Sequence, residues 1–132
     1  MNAPARTFRP LTGLDPRQVD AVALKAFFNL AAEWGLSVEE QLTLLGRPGK
    51  RTLYRWKAGD VAGLPPDTLE RISVLLGIYK ALEILLPVPG RAQSWVGRAN
   101  EAFGGRSGLD VMLGGKVDDL YQVRRHLDAW RG

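Results

Sequence analysis

Apolar residues recur along this chain in helix-length blocks separated by glycine and proline. In the block Val19–Trp34, the residues Val22, Leu24, Phe27, Phe28, Leu30, Ala31 and Trp34 make a broad apolar face, and Gly35 closes it. Ser37 then stands three residues before Glu40, the spacing at which the two side chains cap each other's backbone and start a helix. Val38, Leu42 and Leu45 repeat at helical spacing as far as Gly46-Arg47-Pro48-Gly49. There glycine permits a left-handed stop, and proline cannot extend the hydrogen-bond ladder. A short helix from Lys50 to Ala58 follows, with Gly59 at its end.

The longest block begins at Pro66-Asp67 and runs to Leu86. Leu69, Ile72, Leu75, Leu76, Tyr79, Leu82 and Leu86 form one stripe, and Val74, Ile78 and Leu85 lie off it and widen it. A helix apolar on two sides must bury against two things. Val74, Ile78 and Leu85 are therefore expected at an interface between two copies of the chain; the competing outcome is burial under the chain's own C-terminal part. Pro87-Val88-Pro89-Gly90 is a stiff break. Beyond it the pattern predicts a helix over Arg91–Glu101 with Trp95 as its one large side chain. A one- to two-turn helix capped by Ser107 and ended by Gly114-Gly115 comes next. The last helix, Val117–Trp130, carries Leu120, Val123, Leu127 and Trp130 on one face. The fold class is all-α. Three divisions are expected: a flexible arm over 1–17, a helical DNA-binding and dimerisation domain over 18–86, and a small helical module over 91–132. The arm's Arg6 and Arg9 are in a position to touch a DNA backbone, but a plain tail is the simpler expectation.

Charge changes the picture around the two short helices. On a helical wheel Leu53 and Trp56 share the buried side, Arg51, Tyr54 and Arg55 point the opposite way, and Lys50 and Lys57 flank them. Between Arg47 and Lys57 there are five basic residues and no acidic one. Arginine can bond two acceptors on guanine in the major groove, and lysine neutralises phosphate. Two short helices around a tight turn, the second one basic, read as a helix–turn–helix. The candidate DNA contacts are Arg47, Lys50, Arg51, Thr52, Tyr54, Arg55 and Lys57; the competing reading is a merely solvated surface. The net charge of +4 is uneven: residues 1–60 hold nine Lys/Arg against six Asp/Glu, and residues 61–132 nine against eight. A basic half joined to a nearly neutral one suits a DNA-binding module attached to a partner-binding module.

Other chemistry finds little purchase. With 132 residues, 45% hydrophobic and 24% charged, the chain has the composition of an ordinary globular protein. It has no cysteine, and its single histidine, His126, cannot build a metal site alone; beside Arg125 it is expected to be solvated. Gly104-Gly105 and Gly114-Gly115 follow no strand, and no Gly-Lys-Ser/Thr motif accompanies them. Neither Ser107–Asp110 nor Asp118–Asp119 has the neighbours for catalysis. The expectation is a non-enzyme with no cofactor and no metal. The N-terminal residues lack a signal peptide's apolar core, and no apolar run reaches the roughly 18 residues that span a bilayer. A cytoplasmic protein with no membrane partner is expected.

The C-terminal pattern carries a resemblance. Trp95, Asn100, Phe103, Gly104-Gly105-Arg106-Ser107, Leu109-Asp110, Leu113, Gly115, Val123 and Leu127 resemble the toxin-binding domain of the Xre/MbcA/ParS antitoxins. The closing Leu127-Asp128-Ala129-Trp130-Arg131-Gly132 is similar to antitoxins paired with RES-domain toxins, and Leu36–Leu86 fits the Xre-like helix–turn–helix of the same family. The chain departs from the pattern at Ala99 and Gly108, where proline is common. The resemblance implies an Xre-like helix–turn–helix domain joined by a long helix to a small toxin-binding domain. It implies an antitoxin that blocks a RES toxin, an NAD-consuming enzyme of ADP-ribosyltransferase-like fold, and that represses its own operon as a homodimer or in the complex. Toxin contacts are then expected at Phe103, Arg106, Ser107, Leu109, Trp130, Arg131 and Gly132. The alternative is a plain helix–turn–helix transcription regulator whose C-terminal module senses a ligand or partner.

Overall fold

The computed structural model of the chain describes residues 15–132, so the expectations for Arg6 and Arg9 lie outside the described residues. Among the described residues, seven α-helices and one 3-10 turn carry the fold: α1 Pro16–Glu33, α2 Val38–Leu44, α3 Lys50–Lys57, α4 Pro66–Leu85, α5 Arg91–Gly97, the turn Glu101–Phe103, α6 Gly108–Met112 and α7 Val117–Arg131. Among the described residues there is no strand; Ala99 and Ser107 form one isolated antiparallel bridge. The class is all-α.

Two boundaries differ from expectation, each for a local reason. Pro16 and Arg17 belong to α1 rather than to an arm. Asp15 accepts a hydrogen bond from the Gln18 amide at 3.0 Å, the Gln18 side chain accepts one from the Asp15 amide, and Pro16 occupies the first turn, where its missing N–H costs nothing. In the C-terminal half, α5 stops at Gly97 instead of continuing to Glu101, because Arg98 turns extended and Asn100 caps a separate 3-10 turn through the Ala102 amide.

The core is organised on α4. Ile72, Leu75, Ile78, Ala81 and Leu82 are fully buried, and apolar residues circle the helix instead of keeping to one stripe. Leu69, Ile72 and Leu76 face α1, alongside Val19, Val22 and Ala26. The opposite side takes α7: Tyr121 donates a hydrogen bond to Glu70 at 2.7 Å, and Arg124 lies over Gly77, where any Cβ would fall on its guanidinium. Val74 lies between Glu70 and Gly77 on this side of the helix and is 5% exposed; Ile78 is fully buried and Leu85 half-buried. The expectation of a surface between copies is therefore corrected for Val74 and Ile78. The second apolar side of α4 is consumed within the chain by α7, whose Leu120, Val123 and Leu127 are themselves fully buried. Burying such a side chain contributes about 1.5–3 kcal/mol.

Two phenols tie the layers together. Tyr79 on α4 donates to both oxygens of Glu33 at the end of α1, at 3.0 and 2.8 Å, and that hydrogen bond pushes its pKa up to about 12. Tyr121 on α7 is likewise raised, first by its bond to Glu70 on α4. Gln93 of α5 donates to the Glu33 carbonyl, so the end of α1 anchors both α4 and the start of the C-terminal module. The Pro87–Gly90 break changes chain direction without separating the two halves.

Candidate DNA- and partner-binding sites

The DNA-facing unit is assembled by successive helix caps. Ser37 accepts from the Glu40 amide at 3.1 Å while Glu40 accepts from the Ser37 amide at 2.8 Å, the reciprocal cap read from the sequence. After α2, the Gly46 amide donates to Thr43 O and the Arg47 amide to Leu42 O at 2.7 Å, a Schellman stop. Gly46 has φ +89° and Arg47 φ +64°, so two consecutive residues are left-handed and the chain reverses sharply into α3. The same motif ends α3: the Gly59 amide donates to Trp56 O and the Asp60 amide to Arg55 O.

The inner side of α3 is Leu53, fully buried, and Trp56, 6% exposed; Lys50, Arg51, Tyr54, Arg55 and Lys57 are exposed and Thr52 is half-buried. Arg47 is exposed on the turn. Six of the seven candidate residues are thus exposed and Thr52 half-buried, but not all are equally free. Lys57 stands over the Phe28 ring at 5.5 Å and the Tyr54 ring at 6.0 Å, which turns its charge towards α1. Lys50 reaches Glu39 at 3.8 Å in open solvent, a pair too exposed to compete with a phosphate.

What holds the turn in place was not read from the sequence. Thr68 donates to Leu45 O at 3.4 Å, and Arg71, its side chain 10% exposed, pairs with Asp67 at 2.9 Å directly behind Gly46. A Cβ on Gly46 would stand 2.8 Å from Asp67 Oδ2 and 3.0 Å from Arg71 Nε. The Asp67–Arg71 spacing of four was a visible signal; its task of backing the turn was not. Asp20 was also missed: buried in α1, it accepts from the Leu64 amide at 2.9 Å and fixes the loop that leads into α4.

The partner-binding candidates divide. Ser107 and Phe103 are each 6% exposed, so neither offers a contact surface, and that expectation is corrected. Ser107 caps α6 by accepting from the Asp110 amide at 2.9 Å, and Phe103 packs inward against Trp95 and His126. They build the loop rather than present it. Arg106, Arg131 and Gly132 are exposed and Leu109 is half-buried. Trp130 is 48% exposed although Leu127, one turn earlier, is fully buried, so the apolar stripe of α7 ends at Leu127 and not at Trp130. His126 is not simply solvated: its ring stacks on Trp95 at 6.1 Å and meets Phe103 at 5.0 Å. Gly108 opens α6 at a position whose backbone suits proline, but the Trp95 ring occupies the space, with Cζ3 only 2.7 Å from where a Cβ would be.

A basic helix–turn–helix sharing its central helix with a small helical partner module defines a two-function binding protein: one surface for DNA, another for a protein. Among the described residues no group of His, Cys, Asp and Glu is arranged to hold a metal, and no helix is long and apolar enough to cross a membrane. The family model of the antitoxin Xre-like helix-turn-helix domain matches residues 13–77, and that of the antitoxin Xre/MbcA/ParS C-terminal toxin-binding domain matches residues 81–132. An uncharacterized protein of Sinorhizobium fredii, y4oB, is 47% identical over 127 residues, 93% of this chain and 97% of the relative. The chain belongs to the Xre/MbcA/ParS family of antitoxins, whose two modules bind DNA and a toxin and are not enzymes.

The backing of Gly46 makes a stability prediction. Gly46→Ala must place a Cβ against Asp67 and Arg71 at a left-handed position and is expected to lower stability by about 1–3 kcal/mol. Gly35→Ala, also left-handed but with nothing within 4 Å of its Cβ, should cost less. Urea denaturation of the two variants checks the difference.

Proposed function

We propose that this antitoxin neutralises a RES-domain toxin that consumes NAD, and that it represses its own operon by binding operator DNA as a homodimer. The observation that carries the toxin reading is the free end of α7. With Leu127 fully buried, the helix is rigid up to its last turn, and it presents Trp130, Arg131 and Gly132 outward instead of folding them into the core. A toxin that binds NAD accepts a dianionic pyrophosphate, so its cleft is electropositive. Arg131 complements acidic groups at the rim of such a cleft, and the exposed Trp130 supplies an apolar contact beside it. The closing sequence, similar to that of antitoxins paired with RES toxins, agrees with this choice. The match of residues 81–132 to a toxin-binding family favours a protein partner over a small ligand for this module.

Operator reading falls to α3. Its eight residues span about 12 Å, enough for one half-site only, which is why two copies are proposed. Because Val74 and Ile78 are already buried within the chain, we place the pairing surface in the groove between α1 and α4, where Val19, Val22, Ala26, Leu69 and Leu76 leave an uncharged apolar strip and Val22 is 46% exposed.

Three outcomes are expected. Deleting Trp130–Gly132 abolishes growth rescue in co-expression with the toxin while operator binding by the purified truncation survives; full rescue would place the block elsewhere in the module. Replacing Arg51 and Arg55 by alanine costs roughly 1–3 kcal/mol of operator affinity for each lost base contact, and fluorescence anisotropy on a variant of unchanged helicity measures it. Val22→Asp puts a charge into the α1–α4 groove without disturbing the core, so light scattering should report a monomer; a dimeric Val22→Asp protein would move the pairing surface again.

A further inference from the structure

On the toxin-binding module, aromatic rings gather at the surface around Trp95 and His126, neither of which has been discussed so far as a contact, and reach Trp130. Trp95 of α5 is half-buried, and its plane lies 21° from that of His126 of α7, also half-buried, with centroids 6.1 Å apart. Both rest edge-on against Phe103, Trp95 at 6.2 Å and 81° and His126 at 5.0 Å and 61°. Gly108 supplies the floor, since the Trp95 ring fills the place a side chain there would take. Trp130 follows His126 by four residues and so continues the same face of α7 one turn further, 48% exposed. The rings are locked from below by a buried phenylalanine and open above.

The surroundings are cationic. Arg91, at the start of α5, lies one helical turn before Trp95 and is exposed; Arg98, just past the end of α5, is exposed too and is steadied by a 2.9 Å hydrogen bond to Ser94. At the far end the ledge runs into Arg131. Large, stiff aromatic side chains with few rotors, framed by arginines, are the composition of an interface centre.

We propose that Trp95, His126 and Trp130 form a ledge on which the toxin docks, and that the matching toxin surface is an apolar or aromatic anchor bordered by carboxylates. The ledge presupposes the toxin-binding role of this module and extends it: the last turn of α7 meets the cleft, while the ledge supplies the grip beside it. Gly108 is a positioning residue for that grip, acting through Trp95 without touching the partner.

The test uses this chain and a RES-domain toxin purified apart from it, combined in a calorimeter. His126→Ala and Trp130→Ala are each expected to weaken the complex roughly 10-fold or more. Gly108→Ala, which leaves every contacting side chain in place, should weaken it as well and alter the tryptophan fluorescence of the free protein. Melting temperature and operator affinity, measured on the same variants, should stay at the parent's values for His126→Ala and Trp130→Ala. Folded variants of both residues that bind the toxin as tightly as the parent would overturn the ledge while leaving the antitoxin reading intact. A parent chain that fails to bind the toxin would overturn both.

Discussion

A helix that is apolar around most of its circumference cannot stand at the surface, and α4 is such a helix. Ile72 and Leu76 look one way, Leu75 and Leu82 another, and Val74, Ala81 and Gly77 a third. Water must be excluded from all of them at once, which a single neighbouring helix cannot do. The structure meets the demand with α1 on one flank, the end of α2 and its turn on a second, and α7 on a third. Each of those elements belongs to a different stretch of sequence, so covering α4 is what folds the chain into one body.

This arrangement sets where the two functional surfaces lie. The turn between α2 and α3 is clamped on α4 through Thr68, Asp67 and Arg71, and the direction of the basic helix follows from that clamp. The C-terminal module is fastened to the same helix through Tyr121, Arg124 and the apolar row Leu120, Val123 and Leu127. The Gly115 loop comes close to Thr43 of α2, so the approach between the modules is not confined to α4. The DNA-binding and partner-binding modules thus share a rigid core, with the outer sides of α3 and the α5–α7 face left open.

The residues that make those surfaces are of two kinds, those that project from them and those that shape the backbone beneath them. Arg51, Tyr54 and Arg55 project from a helix whose inner face is tightly held, so they are presented at fixed spacing. Asn100, Phe103 and Ser107 instead build the turns of the C-terminal module: the Asn100 carbonyl accepts from the Phe103 and Gly105 amides, its side chain caps the 3-10 turn, and Ser107 starts α6. A family pattern in sequence mixes both kinds, since a residue that shapes a loop recurs as readily as one that meets a partner.

Local chemistry was legible from the sequence. The capping box of Ser37 and Glu40, the stop at Gly46, the Gly59 cap, the Leu53/Trp56 inner face of α3 and the helix start at Ser107 depend on residues within a few positions of one another, and each is determined by backbone geometry that neighbours alone can satisfy. Which neighbour covers which apolar face is a different kind of fact. Val74 and Ile78 declare only that they must be buried; that α7 rather than a second copy buries them depends on how far Pro87–Gly90 turns the chain and on a glycine at 77 that lets Arg124 lie flat. In the same way Trp130 continues the stripe of Leu120, Val123 and Leu127 on a helical wheel, yet stands half in solvent, because α7 outruns the surface it packs on. His126 next to Arg125 reads as solvated and is instead stacked between rings brought from α5 and the 3-10 turn. Periodicity determines which residues seek cover, whereas only the tertiary structure decides what covers them, since that depends on contacts between segments whose separation along the chain carries no period.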